Sequence, residues 1–383
     1  MILAAGLLCA LAAAAEPAPE FPERLELASG AVLDGRVAEI RDGALVFKTA
    51  AGERRAGPAE IARLERWAAS PVQRAADGLA TAAGDVLEGQ VLDLDKGKLR
   101  LDSPRFGTLD LDARQVRAFF FARPLAEAAA QTRNAAAAEL VLLSGSRTPA
   151  ELRWIQGDKL GFQSPLGALD VKKRDLAWVF LPGRPPEKPE AGRLRLRLSA
   201  GEVLTGKLLE LSGGKLRLAW NGRELEVPWD QVRAVESPDE CMVYLSALKP
   251  VAEKSEAAVG PARPLALDRS AALSPLRLAG TTYEHGLGMR ARTEVGYRLD
   301  GHWKRFRARC GLDSEAARGS RGAVFKVFGD GKPIFDKQVL PGDLPVPVDL
   351  DLSGVRELVL VLEPGPGLEV GDYGNWADAR LLR

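Results

Sequence analysis

Two short strings near the C-terminus carry the side chains best suited to holding a ligand. They are Tyr283, Glu284, His285, Arg290 and Arg292 in TTYEHGLGMRAR, and Asp372, Tyr373, Asn375 and Trp376 in GDYGNW. Together they offer aromatic faces for the apolar side of a sugar ring. They also offer carboxylate, imidazole, guanidinium and amide groups for hydrogen bonds to its hydroxyls. The expected ligand-binding set is Glu284, His285, Arg290, Tyr373 and Asn375, where the first string meets the second. Plainer readings compete with this one: Trp376 also suits a core plug, His285 can satisfy a backbone carbonyl beside the Gly-rich turn, and Arg290 and Arg292 can be solvated strand charges. Asp313, Glu315, Asp330 and Asp372 have the chemistry for a structural calcium ion, although carboxylates at turns ordinarily cap the backbone or face water.

Catalytic signatures are missing from the sequence. There is no GxSxG, no HExxH and no phosphate-cradling loop, and GDGK at Gly329–Lys332 has the spacing of a hairpin turn. With 2 His and 3 Cys the chain cannot assemble a His-rich or Cys-rich metal centre. Balanced charge, net +1, gives no general attraction to nucleic acid or anionic lipid. A non-enzyme is expected.

The candidate side chains lie in a region of dense strand pattern. Val295, Tyr297 and Leu299 alternate with polar neighbours, as do RFRARCGLD, AVFKVFGDGKPIFD and VPVDLDLSGVRELVLVLE. Period-two alternation broken by Asp-Gly and Ser-Gly turns predicts an antiparallel β-sandwich over 241–383. Asp330-Gly331 is the strongest hairpin signal, because a tight turn needs positive φ at both central positions.

The ordered strings YLSALKP, YEHGLGMRA, GYRLDGHWKRFRARCGLD, GAVFKVFGDGK and the terminal WADA resemble the NPCBM family, carbohydrate-binding modules also found beside family 98 glycoside hydrolases. The resemblance covers roughly Tyr244 to Arg383. It implies a galactose-binding-like jelly roll and a sugar ligand, possibilities that include galactose-type glycans. Family members often carry a second His shortly after the HGLG-type turn, and this chain has Arg290 there.

Upstream, one unit is written four times, over 24–67, 78–121, 138–181 and 193–237. The copies open with LELASGAVLDG, LATAAGDVLEG, LVLLSGSRTPA and LRLSAGEVLTG. Further Gly turns recur at Gly43, Gly97, Gly157 and Gly214, then at Gly52, Gly107, Gly167 and Gly222. Each copy closes on an apolar pair: Ile61 and Leu64, Val116 and Phe119, Leu176 and Val179, Val232 and Val235. About five short strands per copy suggest a small barrel-like piece, loosely similar to SH3-like and Sm-like barrels, near the lower size limit for an independent core. Copies of this size are expected to pack on one another. The third copy puts Arg147-Thr148-Pro149-Ala150 where the others have a VLxG turn, and an altered edge is expected there. Of the connectors, SPVQRAADGLA and ARPLAEAAAQTRNAAAAE favour short helices, PGRPPEKPEAG an extended spacer, and AEKSEAAVGPARP a loop.

MILAAGLLCALAAAAEPAPE reads as a secretory leader cleaved near Ala15, with an apolar stretch too short to span a bilayer. No later segment is apolar enough to cross one, so export to the cell surface, periplasm or medium is expected. An oxidising compartment would allow Cys241 and Cys310 to pair, against the alternative that Cys310 is a small buried hydrophobe. The sequence therefore predicts an exported, non-catalytic protein whose repeats present a carbohydrate-binding sandwich. Its competitor is a structural protein whose repeats bind protein partners and whose sandwich no longer binds sugar.

Overall fold

The computed structural model describes residues 22–66, 75–125, 138–181, 190–238, 241–256, 264–314, 320–365 and 372–383. Regular structure there is almost entirely β-strand, interrupted by single turns of 3-10 helix. The chain divides into two compact units, one ending at Met242 and the other starting at Val243. The leader, the connector 182–189 and most of the second Ala-rich connector lie outside the described residues. Two connector expectations are corrected. Ala75–Thr81, read as helical, is a strand, and Ala252–Ser255, read as loop, pairs with Thr293–Arg298. In both, cross-strand hydrogen bonding outweighs local propensity.

In the first unit the same order recurs four times: strand, long bent strand, hairpin, 3-10 turn, closing strand. The second copy, for example, runs Ala75–Thr81, Val86–Glu88 continuing to Gln90–Asp95, Lys98–Ser103, Gly107–Asp112, Ala113–Gln115 and Val116–Pro124. A register shift recurs at an equivalent place in each long strand, at Val37/Glu39, Val91/Asp93, Leu152/Trp154 and Leu208/Glu210. Such an extra residue bends the strand so that its two halves pair in different directions. The first turn is tied to the 3-10 turn by the same backbone bond in every copy: Ala28 N–H to Glu60 O, Ala82 to Gln115, Leu143 to Asp175 and Ser199 to Gln231. The Gly residues at all three recurring turns have left-handed φ, from 59° at Gly157 to 134° at Gly52, the conformation in which a Cβ is strained.

The copies pair through equivalent strands. Copies one and four join closing strand to closing strand, with Leu64 opposite Val235, and copies two and three do the same, with Phe119 opposite Val179. Copies two and four meet at the start of their long strands, Val86 opposite Val203. One continuous sheet thus runs through copies three, two, four and one in that order. Its inner face feeds a shared core that includes Leu25, Phe47, Leu64, Phe119, Phe162, Val179, Leu216 and Val235.

The second unit is a sandwich. One sheet has the order Ala266–Leu267, Gly286–Arg290, Tyr373–Leu382, Arg305–Leu312, Val346–Asp351; the other has Ala252–Ser255, Thr293–Arg298, Glu357–Pro364, Ala323–Gly329, Lys332–Val339. All ladders are antiparallel. Asp330 and Gly331, at φ 49° and 75°, make the hairpin turn read from the sequence. The core is built from Leu287, Met289, Val295, Tyr297, Phe306, Phe325, Leu360 and Trp376. Trp376 is fully buried and ringed by Phe306, Phe325 and Phe335, which makes it the plug and not a platform. Cys310 is free and buried in this core, where loss of water pushes its thiol up to about 12. Cys241 is also a buried thiol, and its Sγ donates to Ile61 O. No disulfide joins the two.

Candidate functional site

Strand Gly286–Arg290 lies against Tyr373–Leu382, with Gly288 opposite Asn375 and Arg290 opposite Tyr373. Alternation sends Leu287 and Met289 into the core, which leaves Gly286, Gly288 and Arg290 on the other face. That face is roofed. A Cβ on Gly288 would sit 2.3 Å from Arg269 O of that roof, and one on Gly286 would sit 2.4 Å from Trp376 O of the neighbouring strand. Only glycine admits so close a backbone. This is why the string reads HGLG.

The roof begins with Asp268, held at φ 56°. Its N–H donates to Gly286 O at 2.8 Å, and its Oδ1 accepts from Gly286 N at 3.1 Å and faces His285 Nδ1 at 3.3 Å. A carboxylate only accepts, so this contact places the imidazole proton on Nδ1. The ring is buried, stacks on Tyr244 at 4.1 Å between centroids, and its backbone carbonyl accepts from Asp378 N. Further along, the hairpin of Leu276–Leu278 with Thr281–Tyr283 covers Asn375, whose Nδ2 donates to Asp313 Oδ2 at 2.8 Å. Asn375 and Asp313 are both fully buried. Asp372, next to Tyr373, accepts from Ser320 Oγ at 2.6 Å and is also buried.

The five expected binding residues therefore do not form one cluster. Arg290 and Tyr373 are brought together, the guanidinium 6.0 Å from the ring centroid, and both are half-buried. His285 and exposed Glu284 lie past the other end of the same strand, whose four residue steps span about 13 Å at ~3.3 Å each. Asn375 lies between the two ends, beneath the hairpin, without solvent access. His285 and Asn375 act on neighbouring backbone and carboxylate groups. The sequence offered no sign of their burial, because the roofing hairpin is the TTY segment that was itself read as part of the ligand string.

Of the calcium candidates, Asp330 accepts from the backbone N–H of Arg356 and Glu357, which is a turn-capping role. Glu315 lies outside the described residues. Among the described residues no group of three or more His, Cys, Asp or Glu side chains is placed to hold a metal ion. No described helix is long and apolar enough to cross a membrane.

The family comparison falls on this unit. Residues 242–382 match the model of the NPCBM/NEW2 domain. A Renibacterium salmoninarum protein named as an endo-alpha-N-acetylgalactosaminidase is 29% identical over 110 residues, which is 28% of this chain and 7% of that relative's length. Among solved structures, a CBM51 module from Clostridium perfringens GH95 in complex with methyl-galactose is 25% identical, covering 37% of this chain and 99% of that one, with a TM-score of 0.34. The CBM51-2 and INT domains of Clostridium perfringens ZmpB are 20% identical, covering 44% of this chain and 36% of that one, also at 0.34. The C-terminal unit of this chain, residues 242–382, is an NPCBM/NEW2 domain.

Proposed function

We propose that this protein is an exported, non-catalytic carbohydrate binder whose C-terminal sandwich holds the sugar and whose repeats present it. The observation that carries the reading is the match of residues 242–382 to a family of carbohydrate-binding modules. Within the sandwich, Arg290 and Tyr373 are the contact pair. A half-buried phenol beside a guanidinium offers a ring face and a fork of donors for neighbouring hydroxyls. The buried Asn375–Asp313 pair fixes the strand carrying Tyr373 from below, since Asp313 N–H also donates to Tyr373 O at 3.0 Å. A sugar hydroxyl already bonds to water, so each contact contributes only a net difference, and binding of single sugars is expected to be weak.

The test is calorimetric titration of the full chain with methyl-galactoside, N-acetylgalactosamine and N-acetylglucosamine. At least one should bind, and Arg290→Ala or Tyr373→Ala should cost about 1–3 kcal/mol while leaving the unfolding midpoint in place. Undiminished binding in both variants would move the site. If the folded wild type binds none of the three, the competing reading takes over, in which the sandwich has lost its sugar and the repeats bind protein. The burial of His285 and Asn375 is the observation that favours this competitor.

A further inference from the structure

The junction between copies two and four shows how these repeats recognise one another edge to edge. Val86 pairs with Val203, and each is preceded by an acid that reaches across. Asp85 Oδ1 accepts from Thr205 N at 2.8 Å and its Oδ2 from Trp220 Nε1 at 2.8 Å. On the other side Glu202, the counterpart of Asp85, faces copy two in turn and pairs with its Arg105 at 2.6 Å. Glu88 and Thr205 occupy the same place in their copies, as do Asp85 and Glu202, so the junction is a local two-fold. It closes around Val86 and Val203, which are 1% and 5% exposed.

Copies one and three lie at the ends of the sheet and present the same edge to solvent. They differ in what remains of the recognition signature. Copy three has Ser146 for the acid, Arg147 for the Val and Pro149 for the N–H donor, so every element of the junction is gone. Charge and Pro on an edge are what blocks strand addition. Copy one keeps the Val, the Leu and the Gly as Val32, Leu33 and Gly35, and lacks only the acid, having Ala31. Val32 is 44% exposed. The register Arg24↔Asp34 repeats Arg195↔Thr205, so the N–H of Asp34 points away from its own hairpin as that of Thr205 does. The Asp34 side chain is engaged by Arg24 at 2.7 Å and stands where Glu88 stands in copy two, so a carboxylate at this position is compatible with the junction.

We propose that the open edge of copy one, Ala31 to Gly35, is a docking site for an extended strand of another protein that supplies an acidic residue directly before a β-branched apolar one. The incoming strand pairs with Val32 and its carboxylate accepts from Asp34 N–H, which completes the half-junction. A second copy of this chain is a poor occupant, because neither of its open edges carries the acid. The inference does not depend on the sugar reading.

The probe is the chain's own junction strand as a free peptide, AAGDVLEGQ, residues 82–90, titrated into the full-length protein and read by fluorescence anisotropy and by amide shifts of residues 31–35. Saturable binding is expected. It should weaken at least about tenfold when the peptide Asp is replaced by Asn or when the protein carries Val32→Lys. Thr148→Lys, on the retired edge of copy three, should change nothing. No binding at millimolar peptide overturns the proposal, as does binding indifferent to Val32→Lys. Concentration-dependent dimerisation of the protein alone that Val32→Lys abolishes would also overturn it, by assigning the edge to a second copy.

Discussion

Copies two and three pair through their closing strands with the same geometry as copies four and one, yet the outer faces of the two ladders have opposite chemistry. In the first pair Phe120, Trp178 and Phe180 gather there, with Trp178 stacked on Phe180 at 5.8 Å and 5.6 Å from Phe120. In the second pair the corresponding positions are Glu236, Arg63 and Glu65 respectively. Glu236 is buried between Arg63 at 3.5 Å and Arg197 at 2.8 Å. The inner face varies little, Leu64 and Val235 answering Phe119 and Val179. The Gly turns, the bulge and the inner apolar pair therefore set the backbone, and the outer face carries whatever covers it. Removing aromatic area and removing a buried charge partner fail for different reasons, and that difference can be measured.

The largest effect is expected at Trp178. Trp178→Ala forfeits buried area and leaves a cavity between Phe120 and Phe180, at about 3–5 kcal/mol in urea unfolding. A loss under 1 kcal/mol would mean the cluster packs loosely. Slightly less, about 3 kcal/mol, is expected for Glu236→Ala, because two largely buried arginines lose the buried carboxylate that both of them pair with. The sharper form of that test replaces the whole set, Arg63→Met with Arg197→Met and Glu236→Leu. If desolvation dominates, the triple variant should equal or exceed the wild type in stability. A triple variant as unstable as Glu236→Ala would show that the ionic face is needed for more than charge balance.

The seam between the two pairs gives an intermediate effect. Burial holds both Asp85 and Glu202 above the ordinary carboxylate range, against the opposing pull of Trp220 and Arg105. A carboxylate raised on folding favours the protonated form, so its contribution to stability is present below its unfolded value and is lost as pH rises through the folded one. Unfolding midpoints should therefore decline as pH is raised from about 4, and Asp85→Asn should flatten that decline. The amide places an NH2 against one of two donors, so the variant should also lose about 1–3 kcal/mol at acidic pH. The smallest effect is expected for Arg100→Ala and Arg217→Ala. Each arginine bridges two exposed carboxylates across a hairpin, Asp93 and Asp110 in one case and Glu210 and Glu224 in the other. Neither substitution should shift the melting temperature measurably, since solvent screens such pairs.

The elements legible in the sequence were those whose signals are local. Asp330-Gly331 announces its hairpin, and Gly97 or Gly214 announces its turn, because a left-handed φ leaves few residue choices. Partner choice between closing strands is not local. Nothing in LAWVF says that it will lie beside AFFF and not beside IARL, since all three present an apolar residue at the pairing position. The candidate site was legible only as a list of polar groups. Arg290 and Tyr373 meet because of strand register, which their spacing could not state. Asn375 is sealed by a hairpin whose Thr281 and Thr282 look, in one dimension, like loop. Asp268, which bonds His285 and Gly286, went unread because a lone Asp in an irregular stretch carries no pattern.

The order of the copies in the sheet also bears on how the chain is made. Phe119 and Val179 belong to neighbouring copies, whereas Leu64 waits for Val235, which is synthesised much later. Closing the longer loop costs only about 1 kcal/mol more than the shorter one, so the penalty at equilibrium is slight. The delay is the larger consequence. During translation the closing strand of the first copy has only its own copy's first strand beside it until the fourth has emerged, while the second and third can already associate. The fourth copy is thus the clasp that joins the early first copy to the second and third.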